Sequence, residues 1–517
     1  MTSPSKPGDD RMFNPIRKGV LALFAASLSL APVTAFANKA DDTVIAAFQA
    51  KLPSLDRYHA PGREGFLLGL LMYDALIYRD PNTFQVKPLL ATSWKQVDEK
   101  TWEFTLRPGV KFHDGDPMTA EDVAYSLMYS ADPNNRVFNR MTGGWIDHVE
   151  IVNPTKIRVV GKQPTPLAIE YLIQLPIVPK AYREKVGIQA FAEHPIGTGP
   201  YKFVKQSGND IVFERNDDYF EDGGKSKPAI KTLIYRAIPD VNTQVAELIS
   251  GGIDWAYYIP SDQAEKLKRL PMVNVINAET FRIGFMTLDA AGETDPNSPL
   301  KNVKVRQAIA HAIDRAALAK TLVGGASKPV SSACTPSQFA CTQDVTQYDY
   351  DVSKAKELMK EAGFANGFDI DIYGYRSRPV AEAIIGYLNA IGIRANLHWL
   401  QYSAVIQARR DHKTPIVIDD YGSAGVNDVG GILPFFFADS PDDQSHDPLV
   451  TKNINEAGSI ADQDKRKALY TEALKRIADQ AYWVPMFTMP VNYVMSKNVD
   501  VPVPADENVE FWRAKWK

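Results

Sequence analysis

Residues 368–399 read FDIDIYGYRSRPVAEAIIGYLNAIGIRANLHW. The first part, 368–373, is a short run rich in isoleucine and tyrosine, the composition of a strand. Pro379 opens the next part. A proline is tolerated in the first turn of a helix because its missing N–H would have no partner there. Val380, Ile384, Leu388 and Ile391 then recur at helical spacing, and Gly392 ends the run. Residues 393–399 are strand-like again. Strand, helix, strand over about thirty residues is the repeating unit of a parallel sheet covered by helices, so the fold class is α/β.

The same rhythm continues on either side. Ala355, Leu358, Met359 and Ala362 mark a helix stopped by Gly363. Val305, Ala308, Ile309, Ala312, Ile313 and Ala316 fall on one face of another, which should run to Gly324-Gly325. Towards the N-terminus, TWEFTLR (101–107) alternates Trp102, Phe104 and Leu106 in the manner of a half-buried strand. Thr119 and Asp122 form a capping box ahead of a helix carrying Val123 and Leu127. Strand patterns recur at 156–160, 211–215 and 230–238, and Asp240 can cap a helix with Val245, Leu248 and Ile249 inward, closed by Gly251-Gly252. No internal repeat is present. A loop rich in Asp, Asn and Pro, 289–302, separates the halves and is the candidate hinge.

With 517 residues the chain is long enough for two large or three to four smaller folding units. Hydrophobic residues at 45% and charged residues at 23% exclude a disordered tail and a multi-span membrane protein. The formal net charge of −4 gives no electrostatic support to nucleic-acid binding. The first 37 residues have a different character. Arg17 and Lys18 precede an apolar run, Val20 to Ala31, and Ala35-Phe36-Ala37 supplies an A-x-A site. That is the layout of a secretory signal peptide, and the run is too short to span a bilayer. Cleavage after Ala37 leaves Asn38 first and moves the net charge to −6. Asn38 is not a cysteine, so no lipid anchor is expected. Met1 and Met12 both remain possible starts. In an oxidising compartment Cys334 and Cys341 are expected to pair as a staple on a surface loop.

Enzyme motifs are scarce. The eight histidines do not pair at helical ligand spacing, and neither a phosphate-binding loop nor a G-x-S-x-G elbow occurs. Ser353 to Lys356 matches S-x-x-K without its companion motifs, and Ser353 is better read as a helix cap. The acidic stretch 439–447, DSPDDQSHD, lacks calcium-loop spacing and reads as a solvated charged loop. No cofactor, catalytic residue or metal site is indicated.

Residues 91–127, ATSWKQVDEKTWEFTLRPGVKFHDGDPMTAEDVAYSL, resemble the signature block of the family 5 extracellular solute-binding proteins. Further blocks follow in the family's order: Gly197 to Tyr201 as G-T-G-P-Y, Asn216 and Tyr219 before Pro228, Pro239-Asp240, Gly252 to Asp254, Val305 to Ala308 with Ala312 to Arg315, and Tyr350-Asp351 with Ala355-Lys356 and Glu361 to Gly363. The resemblance covers essentially the whole chain after the leader. It implies a bilobal periplasmic-binding-protein fold, type II in the large three-subdomain form. The expected divisions are 1–37 leader, 38–288 with 490–517 as lobe I (a subdomain near 77–214), and 289–489 as lobe II. It also implies periplasmic capture of a small polar solute for the inner-membrane permease subunits of an ABC importer, by a monomer, without catalysis.

The resemblance directs attention to a cleft. In the peptide receptors of the family an aromatic residue is followed three positions later by an aspartate that pairs with the peptide amine. Here the matching stretch is Tyr421-Gly422-Ser423-Ala424, with alanine in the aspartate's place. The nearest acids are Asp419, Asp420 and Asp428. Asp428 has two readings, a substitute amine partner or a cap on the turn before Ile432. Arg376, beside Tyr375 and one residue from Ser377, precedes the Pro379 helix with Arg378, an arrangement suited to a carboxylate. Trp145, Trp255 and Tyr257 are candidate aromatic walls. The expected solute is a short peptide, a modified amino acid or an opine-like conjugate. A nickel-chelate or haem receptor of the same transporter class and a secreted hydrolase are the alternatives.

Overall fold

The computed structural model describes residues 39–60 and 62–517. The leader reading lies outside the described residues. Two large sheets carry the architecture. The first has seven strands in the spatial order Val273–Ala278, Val491–Ser496, Trp255–Tyr257, Thr43–Phe48, Thr232–Ala237, Asp210–Arg215 and Tyr201–Ser207. Thr43–Phe48 is buried along nearly its whole length and pairs in parallel with both neighbours. The second sheet has five strands, ordered Ile393–Trp399, Phe368–Gly374, Ile416–Tyr421, Ile283–Leu288 and Trp483–Thr488. The stretch 368–399 forms its parallel edge, with Phe368 opposite Ile393 and helix Arg378–Ala390 packed across it. A smaller antiparallel sheet, ordered Ala91–Gln96, Thr101–Leu106, Lys156–Gly161 and Ile146–Asn153, sits on the first lobe and shares its hydrophobic core.

Local signals explain many boundaries. Thr119 and Asp122 form the capping box, with Asp122 accepting from the Thr119 amide at 2.8 Å. Asp240 caps Val241–Ser250, and Gly251 ends it at φ +79°. The G-T-G-P-Y turn shows why its glycines are required. A Cβ on Gly197 would stand 2.1 Å from the Met72 carbonyl, and one on Gly199 would stand 2.3 Å from that of Leu71. His113 of the signature block closes the same corner, its Nε2 2.9 Å from the Gly199 carbonyl. Two distant motifs therefore build one joint beneath helix Gly62–Met72.

Several expectations need correction. Ile283–Leu288 belongs to the second sheet, not to lobe I, because it is buried at every position and pairs on both sides there. Tyr201–Ser207 and Asp210–Arg215 form a hairpin on the seven-stranded sheet, so the small subdomain stops short of 214. The helix from Val303 ends at Ala312, because Asp314 caps a new short helix by accepting from the Ala317 amide at 2.8 Å. Ile249 is exposed. Asp351, not Ser353, caps Val352–Glu361. The loop 289–302 is not a crossing between sheets. Asp289 gathers three of its backbone amides, and Leu300 is buried in the second lobe's core. The acidic stretch 439–447 is not solvated throughout, since Asp442, Asp443 and Asp447 are buried. Among the described residues no helix is long and apolar enough to cross a membrane.

Candidate functional site

The chain passes between the sheets at residues 279–282 and 489–490. The two passages are tied together: Thr280 Oγ1 donates to the Met489 carbonyl at 2.7 Å, and the Met489 amide donates to the Arg282 carbonyl at 2.9 Å. Arg282 stands at this crossing with 12% of its side chain exposed. Its guanidinium donates to Asp420 at the end of strand Ile416–Tyr421, and its Nε lies 3.5 Å from Glu507. Glu507, from the C-terminal segment, also faces Arg63 at 3.5 Å and accepts from the Tyr258 hydroxyl at 2.6 Å. The other oxygen of Asp420 accepts from Arg376 Nε at 2.6 Å.

A continuous seam results, Arg63–Glu507–Arg282–Asp420–Arg376, running from the first lobe to the second. Burial opposes ionisation of Asp420 and Glu507, but the guanidiniums beside them prevail and hold both carboxyls below their usual range. Three guanidiniums face two carboxylates, so the seam keeps a positive balance. Arg376 is its open end. Its side chain is 44% exposed, and neither Nη makes a hydrogen bond to another described residue. An arginine held by its Nε in this way presents the remaining edge of its fork to an oxyanion.

Aromatic groups frame this arginine. Its guanidinium carbon lies 5.5 Å from the Tyr375 ring centroid. Tyr375 donates to Asp419 at 2.5 Å and packs on Tyr402. Tyr421, partly exposed, stacks on Phe435 with centroids 5.4 Å apart, and burial pushes its hydroxyl up to about 12. The loop after Tyr421 meets the first lobe. A Cβ on Gly422 would be 3.3 Å from Glu507 Oε1, one on Gly425 3.2 Å from Asn508 Nδ2, and one on Gly430 3.1 Å from Leu167 Cδ1. Tyr258, Ser423 and Glu507, at φ +55°, +50° and +62°, add left-handed backbone to this junction. Non-glycine residues persist in that region only where their surroundings hold them, and such strain gathers at binding sites.

The disulfide loop holds one of them. Cys334 and Cys341 are bonded, with Cα atoms 5.8 Å apart. Cys334 is fully buried in the second lobe's core, so the bond is not the expected surface staple. Between the cysteines, Gln338 Nε2 donates to Ser423 Oγ at 2.8 Å and to the Val426 carbonyl at 3.0 Å. Phe339 meets Asp428 in a short parallel bridge.

Of the sequence candidates, Arg376, Tyr375 and Tyr421 come together here. The others do not. Asp428 caps the turn through the Gly430 amide at 2.7 Å and is paired with Arg466 at 2.9 Å, so it is not free to receive an amine. Burial raises its carboxyl despite that arginine. Arg378 pairs on the surface with Glu382, its helical neighbour, at 2.9 Å. Trp255 and Tyr257 are fully buried in the aromatic core of the first sheet, with the Tyr257 hydroxyl on Glu64 at 2.8 Å. Trp145 is buried under the small sheet and donates to the Thr142 carbonyl at 3.0 Å. None of these three can wall a solute. Sequence reasoning missed Arg63, Arg282, Glu507 and Gln338. The adjacent pair Asp419-Asp420 inside an apolar strand was the one local signal, because buried acids require partners. Among the described residues no group of three or more His, Cys, Asp or Glu side chains could hold a metal ion.

Residues 85–443 match the family model described as bacterial extracellular solute-binding proteins, family 5 middle. The glutathione-binding protein GsiB of Salmonella paratyphi A is 28% identical over 495 residues, covering 92% of this chain and 94% of that protein. GsiB of Pectobacterium atrosepticum is 27% identical over 488 residues, covering 90% and 92%. Among solved structures, a Pseudoalteromonas dipeptide-binding protein in complex with Met-Leu superposes with a TM-score of 0.81 at 22% identity, covering 92% of this chain and all of that one. AgaA from A.tumefacien R10 in complex with agropinic acid superposes with a TM-score of 0.78 at 23% identity, covering 92% and 99%. The architecture is thus the bilobal periplasmic-binding-protein fold. Because the family match runs through both sheets and the crossing that joins them, the chain belongs to the family 5 bacterial extracellular solute-binding proteins.

Proposed function

We propose that this protein captures a small carboxylate-bearing solute between its lobes and delivers it to the permease subunits of an ABC importer in the inner membrane. The observation that carries the reading is Arg376: anchored to Asp420 through Nε, half exposed, with both Nη groups unoccupied. The solute's carboxylate completes the seam and offsets its positive balance. An amine on the same solute finds no free carboxylate in this part of the second lobe. Asp419 and Asp420 are held by arginines, Asp428 by Arg466, and position 424 is alanine. A buried, unpaired ammonium costs several kcal/mol, which favours a modified amino acid or opine-like conjugate over an ordinary peptide. The relatives named for glutathione and the neighbours holding Met-Leu or agropinic acid fit a carboxylate-bearing solute of this size. The lobes close about the paired passages at 279–282 and 489–490, and the protein works as a periplasmic monomer without turning its solute over.

Mass spectrometry of solute released from purified protein identifies the class. Calorimetry with that solute then compares the parent with Arg376→Ala. The expected loss is about 1.5–3 kcal/mol, the range for hydrogen bonds to a charged group. Equal affinities would place the carboxylate site elsewhere. Sequencing the N-terminus of periplasmic protein should give Asn38, and an intact Arg17-Lys18 segment would refute the export reading.

A further inference from the structure

The first lobe contains a cavity of about 30 Å³ between helix Gly62–Met72, the chain that follows it and the segment around Ile173 to Pro176. A single water needs roughly 10–15 Å³ by this kind of measure, so the space holds one small group. Its polar lining falls into two classes. Lys225 and Asp74 face each other at 2.8 Å, and Lys225 also donates to the Leu70 and Tyr73 carbonyls at 2.7 and 3.0 Å. Asp74 further accepts from Thr198 at 3.0 Å and Tyr219 at 3.1 Å. These groups are saturated.

Arg57 and Gln174 line the same cavity and are not saturated. Among the described residues neither side chain has a hydrogen-bond or ion-pair partner. Arg57 lies over the Phe66 ring, its guanidinium carbon 4.4 Å from the centroid. Its stem fills the space that a Cβ on Gly69 would need, since that atom would stand 2.3 Å from Arg57 Cδ. A ring face stabilises the cation but accepts none of its in-plane N–H bonds. Burial lowers the Arg57 guanidinium to about 10, the direction expected of a cation short of anionic company. Buried polar groups are almost always partnered, so two idle donors on one cavity call for an occupant.

We propose that Arg57 and Gln174 form an anion-binding subsite in the first lobe that takes one carboxylate- or halide-sized monoanion. Arg57 supplies the charge and a fork of donors, and the Gln174 amide supplies a neutral N–H. Asp74, already neutralised by Lys225, does not repel the occupant. The anion is either the carboxylate of a captured solute or a free ion such as chloride or formate. The subsite shares no residue with the Arg376 seam.

The test is a melting-temperature titration of the whole exported protein with sodium formate, ionic strength being balanced with sodium sulfate. The parent should gain stability in proportion to the logarithm of formate concentration once the site fills, as binding to the native state requires. Arg57→Gln should abolish the gain, and Gln174→Leu, which leaves the charge in place, should roughly halve it, one of two donating groups being lost. Arg376→Ala should leave the gain intact, which separates this subsite from the reading above. Equal gains in the parent and Arg57→Gln overturn the proposal. Should that variant not fold, equal gains in the parent and Gln174→Leu overturn it instead. Mass spectrometry of retained solute distinguishes the sources: formate that expels solute identifies the solute's own carboxylate, and undiminished retention identifies a free anion.

Discussion

The second lobe holds two arginine–aspartate pairs of nearly the same length and opposite character. Arg466 and Asp428 lie 2.9 Å apart with 6% and 8% of their side chains exposed. Arg376 and Asp420 lie 2.6 Å apart, but Arg376 is 44% exposed and spends only its Nε on the aspartate. In the first pair both partners are spent on the scaffold. Arg466 also donates to the Ala457 carbonyl, and Asp428 caps the turn. In the second, the aspartate is fixed by two arginines while one arginine keeps donors in reserve. Ion pairing alone therefore does not mark a site. What marks it is a charged group whose anchoring leaves part of its hydrogen-bonding capacity unused.

The sharpest way to break this contrast is to remove each arginine in turn. Arg466→Ala strands a buried carboxylate and should cost about 3–5 kcal/mol of folding stability in urea denaturation. Its effect on solute affinity in the molecules that remain folded should be small. A stability loss under about 1 kcal/mol, the exposed-pair range, would make the two pairs equivalent. A third buried carboxylate sharpens the comparison. Asp254 accepts from the Ile45 amide at 2.9 Å, has no cationic partner within salt-bridge range, and burial raises it to about 6. A carboxyl raised in the folded state contributes stability that is present below its unfolded value and lost as pH rises through 6. Asp254→Asn keeps the acceptor and should melt with the parent near pH 4. Above pH 7 it should be more stable by about 2–3 kcal/mol, the equivalent of two units. A pH-independent difference would show that Asp254 is not held protonated.

Breaking the Cys334–Cys341 bond should cost about 2.5 kcal/mol if only the loop entropy matters. Hydrogen exchange can reveal more. Because Gln338 holds Ser423 and the Val426 carbonyl, amides from 422 to 431 should exchange faster after reduction, and Gln338→Leu should reproduce this with the bond intact. Faster exchange confined to 331–347 would reduce the bond to a local staple. The smallest effect belongs to the open pair: Arg376→Ala should lower stability by no more than about 1 kcal/mol, as for an exposed ion pair.

These sites also show how far the sequence could be read. The capping box at Thr119 and the left-handed turns at Gly251, Gly363 and Gly392 are local, and their chemistry is written in neighbouring residues. Arg376 was legible because it precedes a proline-opened helix after a strand. Trp145, Trp255 and Tyr257 were misread because an aromatic residue packs as readily in a core as in a cleft, and only the three-dimensional neighbours decide. Asp428 matched its capping reading, but Arg466 gave no sign of its approach. The seam was hidden for the same reason. Arg63, Arg282 and Glu507 belong to three segments far apart in the chain, and nothing local in any of them anticipates their meeting.

The tie between the two passages has a mechanical consequence. Because Met489 and Arg282 are hydrogen-bonded across the crossing, the connector is a ribbon two strands wide rather than a pair of independent threads. A ribbon bends about an axis across its flat face, and it resists shear within its plane because shear would break the bonds between its edges. Whatever travel the lobes undergo is thereby reduced to something near one angular coordinate. A partner that gauges that single angle can tell a loaded molecule from an empty one without touching the solute.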